Sequence, residues 1–306
     1  MPEIAVLIPC YNEEAAIGKV VRDFIGVLPG AQVYVYDNNS NDNTVLRAKE
    51  AGAIVRNEPL QGKGQVVRRM FADVDADIYL LVDGDDTYDA ASAPLLVKTL
   101  LEGPCDMVNA ARVESHEKAY RRGHRFGNVM ISGMVAALFG RNCRDVLSGY
   151  RAFSRRFVKS FPALARGFEI ETELTVHALQ LRMPSAEVET PYKERPAGSF
   201  SKLNTFRDGF RILFTILHLL KEEKPLAFFG IIAFLLLDAA LLMGVPVIEE
   251  FMDTGAVPRL PSAVLATGLT IISMLSLVCG LILDSLTRAR LEAKRMHYLS
   301  ISGKIR

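Results

Sequence analysis

The 306-residue chain has no tryptophan, only four cysteines and a formal charge of only +1. Each shortage excludes something. Cys10, Cys105, Cys143 and Cys279 never fall in a C-x-x-C or similar spacing, which excludes a zinc ribbon or finger, and the chain is too long to depend on a disulfide framework. They read as reduced thiols of a cytosolic domain and one apolar helix. The near-neutral charge leaves no global basic field for nucleic acid, so local basic clusters matter more. The N-terminus, MPEIAVLIPC, lacks a basic n-region and carries only a short apolar run, which excludes a signal peptide and predicts a first β-strand. His116, His124, His177, His218 and His297 show no metal-ligand spacing. There is no internal repeat and no low-complexity tract.

Apolar residues are abundant, at 50%, and unevenly placed. The first part alternates apolar strands with amphipathic helices. Strands are expected at Glu3–Ile8, stopping at Pro9, then at Gln32–Asp37, Ala53–Arg56 and Ile78–Val82; helices at Glu14–Leu28, about Thr44–Ala51 and Gly64–Ala72. Such alternation predicts a mostly parallel, Rossmann-like sheet with helices on both faces. Ligands of such sheets lie beyond the carboxyl ends of the strands. The polar clusters fall there: Pro9–Glu13, Asp37–Asp42, Gln61–Gly64 and Asp83–Asp86. Further on, Asp106–Ala111 and Ala186–Tyr192 suit strands, Val129–Phe139 and Glu171–Leu181 suit helices, and Arg112–Arg125 is a charged loop.

Each cluster has a chemical reading and a plainer one. Asp83-Gly84-Asp85-Asp86 offers carboxylates one residue apart at a strand end, hard oxygen ligands for Mg²⁺ or Mn²⁺, though Asp and Gly also make ordinary turns. Asp37 could accept hydrogen bonds from a base or ribose edge, while Asp42 or Asn43 caps the next helix. Gln61-Gly62-Lys63-Gly64 opens a helix, and its N–H groups and Lys63 suit a phosphate. In the first cluster, Tyr11 is an aromatic able to stack on a base.

Seven motifs in order, IPCYNEE, DNNSNDNT, QGKG, DGDD, LSGYRAF, GFEIETEL and RPAGSFSKLNTFRDGFRI, resemble glycosyltransferase family 2 with a GT-A fold, across about residues 3 to 212. The combination resembles in particular the dolichyl- and undecaprenyl-phosphate sugar transferases. That resemblance implies a metal-dependent, inverting hexosyltransferase that moves sugar from a UDP- or GDP-sugar to a polyprenyl phosphate. Pro9, Tyr11, Glu13, Asp37 and Lys63 would cradle the donor, with Asp83 near its ribose or diphosphate. Asp83 and Asp85 would hold Mg²⁺ or Mn²⁺. Arg112, Arg122, Arg125 and Arg195 would contact the phosphates of donor and acceptor, Arg122 and Arg195 as catalytic groups, and Ser199 and Lys202 would meet the lipid phosphate. Bidentate guanidinium groups fit phosphate well; the plainer reading of Arg121, Arg122 and Arg125 is a solvated cluster. Because a polyprenyl phosphate is already anionic, a general base matters little. The candidate carboxylates are Asp145, Glu169 and Glu171. Asp145 would orient a substrate or a basic side chain, or simply cap a helix or form a salt bridge. Some members of the family carry an acid just before the aromatic–arginine pair; this chain has Gly149 there.

Rival readings are weaker. Processive polysaccharide synthases carry a Q-x-x-R-W element, and this chain has no tryptophan. A nucleotidyltransferase would show a Gly-rich basic loop after the first strand, where this chain has Pro-Cys-Tyr-Asn-Glu-Glu. Another membrane-anchored family 2 enzyme acting on a glycan or glycolipid, or a non-catalytic scaffold with a sugar-nucleotide domain, stays as the alternative.

Two apolar runs close the sequence. Leu226–Ile248 contains one acid, Asp238, and Leu260–Leu283 contains no charge. Each exceeds the roughly 20 residues a bilayer requires. The linker between them carries Glu249, Glu250 and Asp253 against Arg259, while Arg207, Arg211, Lys221 and Lys224 precede the pair and Arg288, Arg290, Lys294 and Arg295 follow it. The positive-inside rule then puts both termini in the cytoplasm. The expected organisation is a cytoplasmic GT-A catalytic domain at 1–200, a juxtamembrane amphipathic helix at 201–224, a transmembrane hairpin at 225–284 and a basic cytoplasmic tail at 285–306, in an integral protein of a prokaryotic plasma membrane. Within the second segment Phe206, Phe210, Leu213, Phe214, Leu217 and Leu220 share a face, as an interfacial helix requires. Gly268, Ser273, Ser276 and Gly280 are small residues through which copies could associate.

Overall fold

Strand β1 (Ile4–Cys10) is the axis of the first unit, pairing in parallel with β2 (Gln32–Asp37) on one side and β4 (Ile78–Leu81) on the other. The computed structural model describes residues 2–114, 132–133, 135–136, 145–167, 169–193 and 217–303. β1 runs through Pro9 to Cys10 instead of stopping at the proline. β4 pairs only with Ile4–Leu7, so Pro9 lies beyond that ladder, and its missing N–H leaves no donor unmatched on that side.

Helices α1 (Ile17–Val27), α2 (Thr44–Glu50) and α3 (Lys63–Asp73) connect β1, β2, β3 (Ile54–Asn57) and β4. α1 turns Ile17, Val20, Val21 and Phe24 inward, one stripe at helical spacing. After a 3₁₀ turn at Ala90–Ser92 comes α4 (Ala93–Glu102), an element not expected from the sequence. Its apolar stripe, Ala93, Leu96, Val97 and Leu100, joins Val6, Val21, Phe24, Leu80, Val108 and Tyr150 in one core. β5 (Met107–Glu114), β6 (Arg151–Ser154) and β7 (Ser185–Tyr192) complete the sheet, with α5 (Arg155–Ser160) and α6 (Ile170–Gln180) between the last two.

The strand order is β3-β2-β1-β4-β6-β5-β7. β6 runs antiparallel to both β4 and β5, so the sheet is mixed, in the GT-A manner, with parallel ladders elsewhere. The reversal puts the segment just before β6, residues 145–150, beside the carboxyl end of β4.

The described residues fall into two compact units, Met1–Ile212 with Lys294–Arg306, and Leu213–Ala293. In the second, α7 (Pro225–Thr254) and α8 (Leu260–Ser300) are each long and apolar enough to cross a membrane. α7 closes on Gly255, whose φ of 68° puts it in the left-handed region that ends helices. Ser273 donates to the Ala233 carbonyl at 2.7 Å, and a Cβ on Gly280 would sit 3.1 Å from Phe229 Cβ. Two of the four small residues therefore serve the contact between α7 and α8, whereas Gly268 faces open space. α8 continues well past the apolar run, and its end belongs to the first unit. There Tyr298 donates to Asp106 at 2.6 Å, and the Arg156 guanidinium lies 4.5 Å from the Tyr298 ring centre. Helix is also present at 217–223, the described end of the expected interfacial helix; the rest of that segment and most of Val129–Phe139 lie outside the described residues.

Candidate active site

The loops after β1 and β2 are knitted into one surface. Asn12 N–H donates to Ser40 Oγ at 2.8 Å, Asn41 N–H to Asn12 Oδ1 at 2.8 Å, and Glu13 N–H to Thr44 Oγ1 at 2.9 Å. The Glu14 carboxylate accepts from Asn43 N and Nδ2, and Asp42 Oδ1 takes the Thr44 N–H at the start of α2. Asn12 and Asn39 hold φ of 54° and 65°, and Asp86, in the third loop, holds 57°. Non-glycine residues in this region collect at ligand sites, where the surroundings over-determine a strained backbone.

Pro9 and Tyr11 lie on this surface, and Asp37 ends β2 beneath it. Asp37 is 6% exposed; its Oδ2 accepts from Ser40 N–H at 3.1 Å, while Oδ1 is buried without a partner. A buried bare carboxylate oxygen is costly unless a donor reaches it, and a base N–H or ribose hydroxyl is the fitting chemistry. Asn38 ties in the next loop. Its Nδ2 donates to the Glu58 and Leu60 carbonyls at 2.8 Å each, and its Oδ1 takes the Gly62 N–H at 2.7 Å.

That last bond locates the Gln61–Gly64 turn, and its two glycines are there for close approach. A Cβ on Gly64 would stand 2.2 Å from the Ala165 carbonyl oxygen, and one on Gly62 2.2 Å from that of Arg166. Glu173 holds the opposing backbone by accepting from the N–H groups of Leu164 and Ala165 at 2.9 and 2.8 Å. Lys63, first residue of α3, is thereby aimed inward. Its ammonium bridges Asp83 Oδ1 and Glu171 Oε1, 2.5 Å from each. Burial works against that charge, but the two carboxylates outweigh it and raise the Lys63 pKa above its usual range. Burial likewise pushes the Glu171 carboxyl up, against the pull of Lys63.

The Asp83–Asp86 loop is packed as closely. A Cβ on Gly84 would meet Cys10 Sγ at 2.6 Å, and one on Gly149 would meet Asp83 Oδ2 at 2.4 Å. The glycine that stands where some family members carry an acid thus makes room for the Asp83 carboxylate. Gly149 N–H donates to the buried Tyr88 hydroxyl at 2.8 Å. Asp85 is 4% exposed and accepts from Thr87 Oγ1 at 2.6 Å, and Lys19 reaches Asp86 at 2.8 Å. Asp83 and Asp85 supply the hard oxygens that Mg²⁺ or Mn²⁺ prefers. Among the described residues no third His, Cys, Asp or Glu joins them, so an ion held by these two would need further ligands from outside the protein acids.

Asp145 holds Arg112 in a bidentate pair, Nε to Oδ2 at 2.7 Å and Nη2 to Oδ1 at 2.8 Å, over the Tyr192 ring. Burial pushes the Asp145 carboxyl up, but the bonds and charge of Arg112 prevail and hold it low. Asp145 thus forms the salt bridge that the sequence left open beside an orienting role, and Arg112 is already paired. Arg151 is fully buried and clips the loop before β6 through the Ser148 and Val146 carbonyls and Thr175 Oγ1. Arg122, Arg125, Arg195, Ser199 and Lys202 lie outside the described residues. The bridge from Lys63 to Glu171 is not visible in the sequence, although GFEIETEL marks the segment that supplies it.

Three strand-end loops, paired acids and a buried lysine gather at the carboxyl ends of the strands of a GT-A sheet. The family model "Glycosyl transferase family 2" matches residues 5–161, and the chain belongs to that family. It is 35% identical to Glycosyltransferase AglJ of Haloferax volcanii over 232 residues, 76% of each chain. It is 29% identical to the dolichyl-phosphate hexose transferase of the same organism over 222 residues, 72% of this chain and 96% of that one. Among solved structures it is similar to Mycobacterium tuberculosis glucosyl-3-phosphoglycerate synthase in complex with Mn²⁺, UDP-glucose and glycerol 3-phosphate. The TM-score there is 0.58 at 27% identity, covering 72% of this chain and 79% of the other.

Proposed function

We propose that this chain transfers a hexose, with inversion, from a UDP- or GDP-sugar to a polyprenyl phosphate at the cytoplasmic face of a membrane. The observation that carries the reading is the pairing of Lys63 with Asp83, two residues before the buried Asp85, at the strand ends that also hold the bare Asp37 oxygen. A nucleoside would seat against Tyr11 and Asp37, with Pro9 and Glu13 shaping the wall. A Mg²⁺ or Mn²⁺ ion held by Asp83 and Asp85 would neutralise charge on the departing diphosphate. The donor chemistry is supported by the UDP-glucose and Mn²⁺ of the mycobacterial synthase, the acceptor by the name of the archaeal transferase.

In the reaction a phosphate oxygen of the acceptor attacks the anomeric carbon in line. The bond from that carbon to the diphosphate oxygen breaks, and nucleoside diphosphate leaves. The nucleophile is anionic at neutral pH, so rate comes from positioning and charge neutralisation more than from a base. Arg112, set by Asp145, would guide phosphate, joined by Arg122, Arg125, Arg195, Ser199 and Lys202. The apolar helices α7 and α8 give the lipid acceptor a reason to be close.

Asp85→Ala is expected to abolish transfer while the thermal midpoint stays near that of the parent. Unchanged turnover in that variant would remove the metal role.

A further inference from the structure

The ammonium of Lys63 sits where it should cancel Asp83. A lysine 2.5 Å from a carboxylate leaves that carboxylate little charge to offer a divalent ion, yet Asp83 is more accessible than Asp85 in the same loop. Glu171 resolves the conflict. It holds the same ammonium at 2.5 Å from the opposite side, so the three groups together carry one negative charge. Exposure decides where that charge is felt: the Asp83 side chain is 29% exposed, those of Lys63 and Glu171 only 9% and 7%.

A structural role does not account for Glu171. Its Oε2 is buried without a hydrogen-bond partner, although a carboxylate kept for its bonds would use both oxygens. A glutamine could supply Oε1 to Lys63 equally well and would bury an amide instead of an ion. Position 171 thus provides a charge that a neutral acceptor could not.

We propose that Glu171 is a positioning residue that acts through Lys63, balancing the ammonium so that the three groups together keep a net negative charge toward a divalent ion and the diphosphate it accompanies. The inference rests on the metal reading above and extends it to a residue that touches neither ion nor substrate.

Removing the charges singly and together tests it. Mn²⁺ bound to the full-length detergent-solubilised protein with UDP or GDP is measured from the electron paramagnetic resonance signal of the free ion. Glu171→Gln takes the trio from one negative charge to none and is expected to weaken Mn²⁺ binding about ten-fold, the scale for losing one nearby charge in a partly solvated site. Lys63→Met with Glu171→Gln restores one negative charge and is expected to recover most of that affinity, although transfer stays low because Lys63 is gone. Glu171→Gln binding Mn²⁺ like the parent would overturn the proposal. So would a double variant no tighter than the single one, an outcome that a merely destabilised Glu171→Gln would produce. Asp85→Ala separates the two readings. If it and the parent bind Mn²⁺ alike, the metal site itself is wrong and the role of Glu171 falls with it. If Asp85→Ala loses the ion and Glu171→Gln does not, only the role of Glu171 falls.

Discussion

At Gly149 the absence of a side chain does chemical service. A Cβ there would stand 2.4 Å from Asp83 Oδ2, so Gly149→Ala must push the carboxylate from its place against the β4 end. Misplacement by about 1 Å near reacting groups costs on the order of a hundred-fold. We expect kcat to fall by about that factor, with the thermal midpoint little changed; a variant of full activity would contradict the assigned position of Asp83. Asp145 and Arg112 make a different claim, on stability. Asp145→Ala takes the carboxylate away from a nearly buried guanidinium, and loss of one partner of such a pair costs about 3–5 kcal/mol. Chemical denaturation should show that loss, with a smaller one for Asp145→Asn. The acids and Lys63 were legible in the sequence because hydrophilic residues clustered at strand ends. The purpose of Gly149 was not, because the space beside a glycine depends on which distant residue the fold brings there.

Helix α6 stakes its place on a buried histidine. His177 lies edge-on between Phe157 and Phe161, and burial, with a smaller push from Lys294, lowers its pKa to about 3. The unfolded value is 6.5, so between pH 6.5 and 3 the unfolded chain binds the proton that the folded one refuses. Its contribution is complete above pH 6.5 and lost as the pH falls toward 3, up to roughly 4–5 kcal/mol. His177→Leu should flatten this part of the stability–pH curve; an unchanged slope would show that the ring is not held neutral. Most elements were legible from their periodicity: β2 matches residue for residue, and β4 and α6 differ at their ends by a residue. α4 is not legible because Pro94 and the run of small residues before it resemble a turn, whereas proline is well accommodated in the first turn of a helix. β6 begins inside the motif LSGYRAF and ends at Ser154, and its four residues are too few for an alternation to register.

Over the whole molecule, two helices apolar enough to cross a bilayer follow a family 2 sheet that is similar both to a glucosyl-3-phosphoglycerate synthase and to a dolichyl-phosphate hexose transferase. Hydropathy made these helices plain. Asp238 is exposed in the middle of α7, where a lone acid in hydrocarbon is costly. With the four native cysteines replaced, Ala256→Cys in the turn between α7 and α8 should react with an impermeant maleimide in intact cells. Lys98→Cys on α4 should react only after permeabilisation. Labelling of both, or of neither, in intact cells would contradict the cytoplasmic orientation. The acceptor is tested most directly by incubating the purified full-length chain with Mn²⁺, radiolabelled UDP- and GDP-hexoses and a short polyprenyl phosphate, then extracting with organic solvent. We expect label in the organic phase from one donor, only when the polyprenyl phosphate is present and never with chelator. Label confined to a water-soluble acceptor, with none on the lipid, would contradict the account.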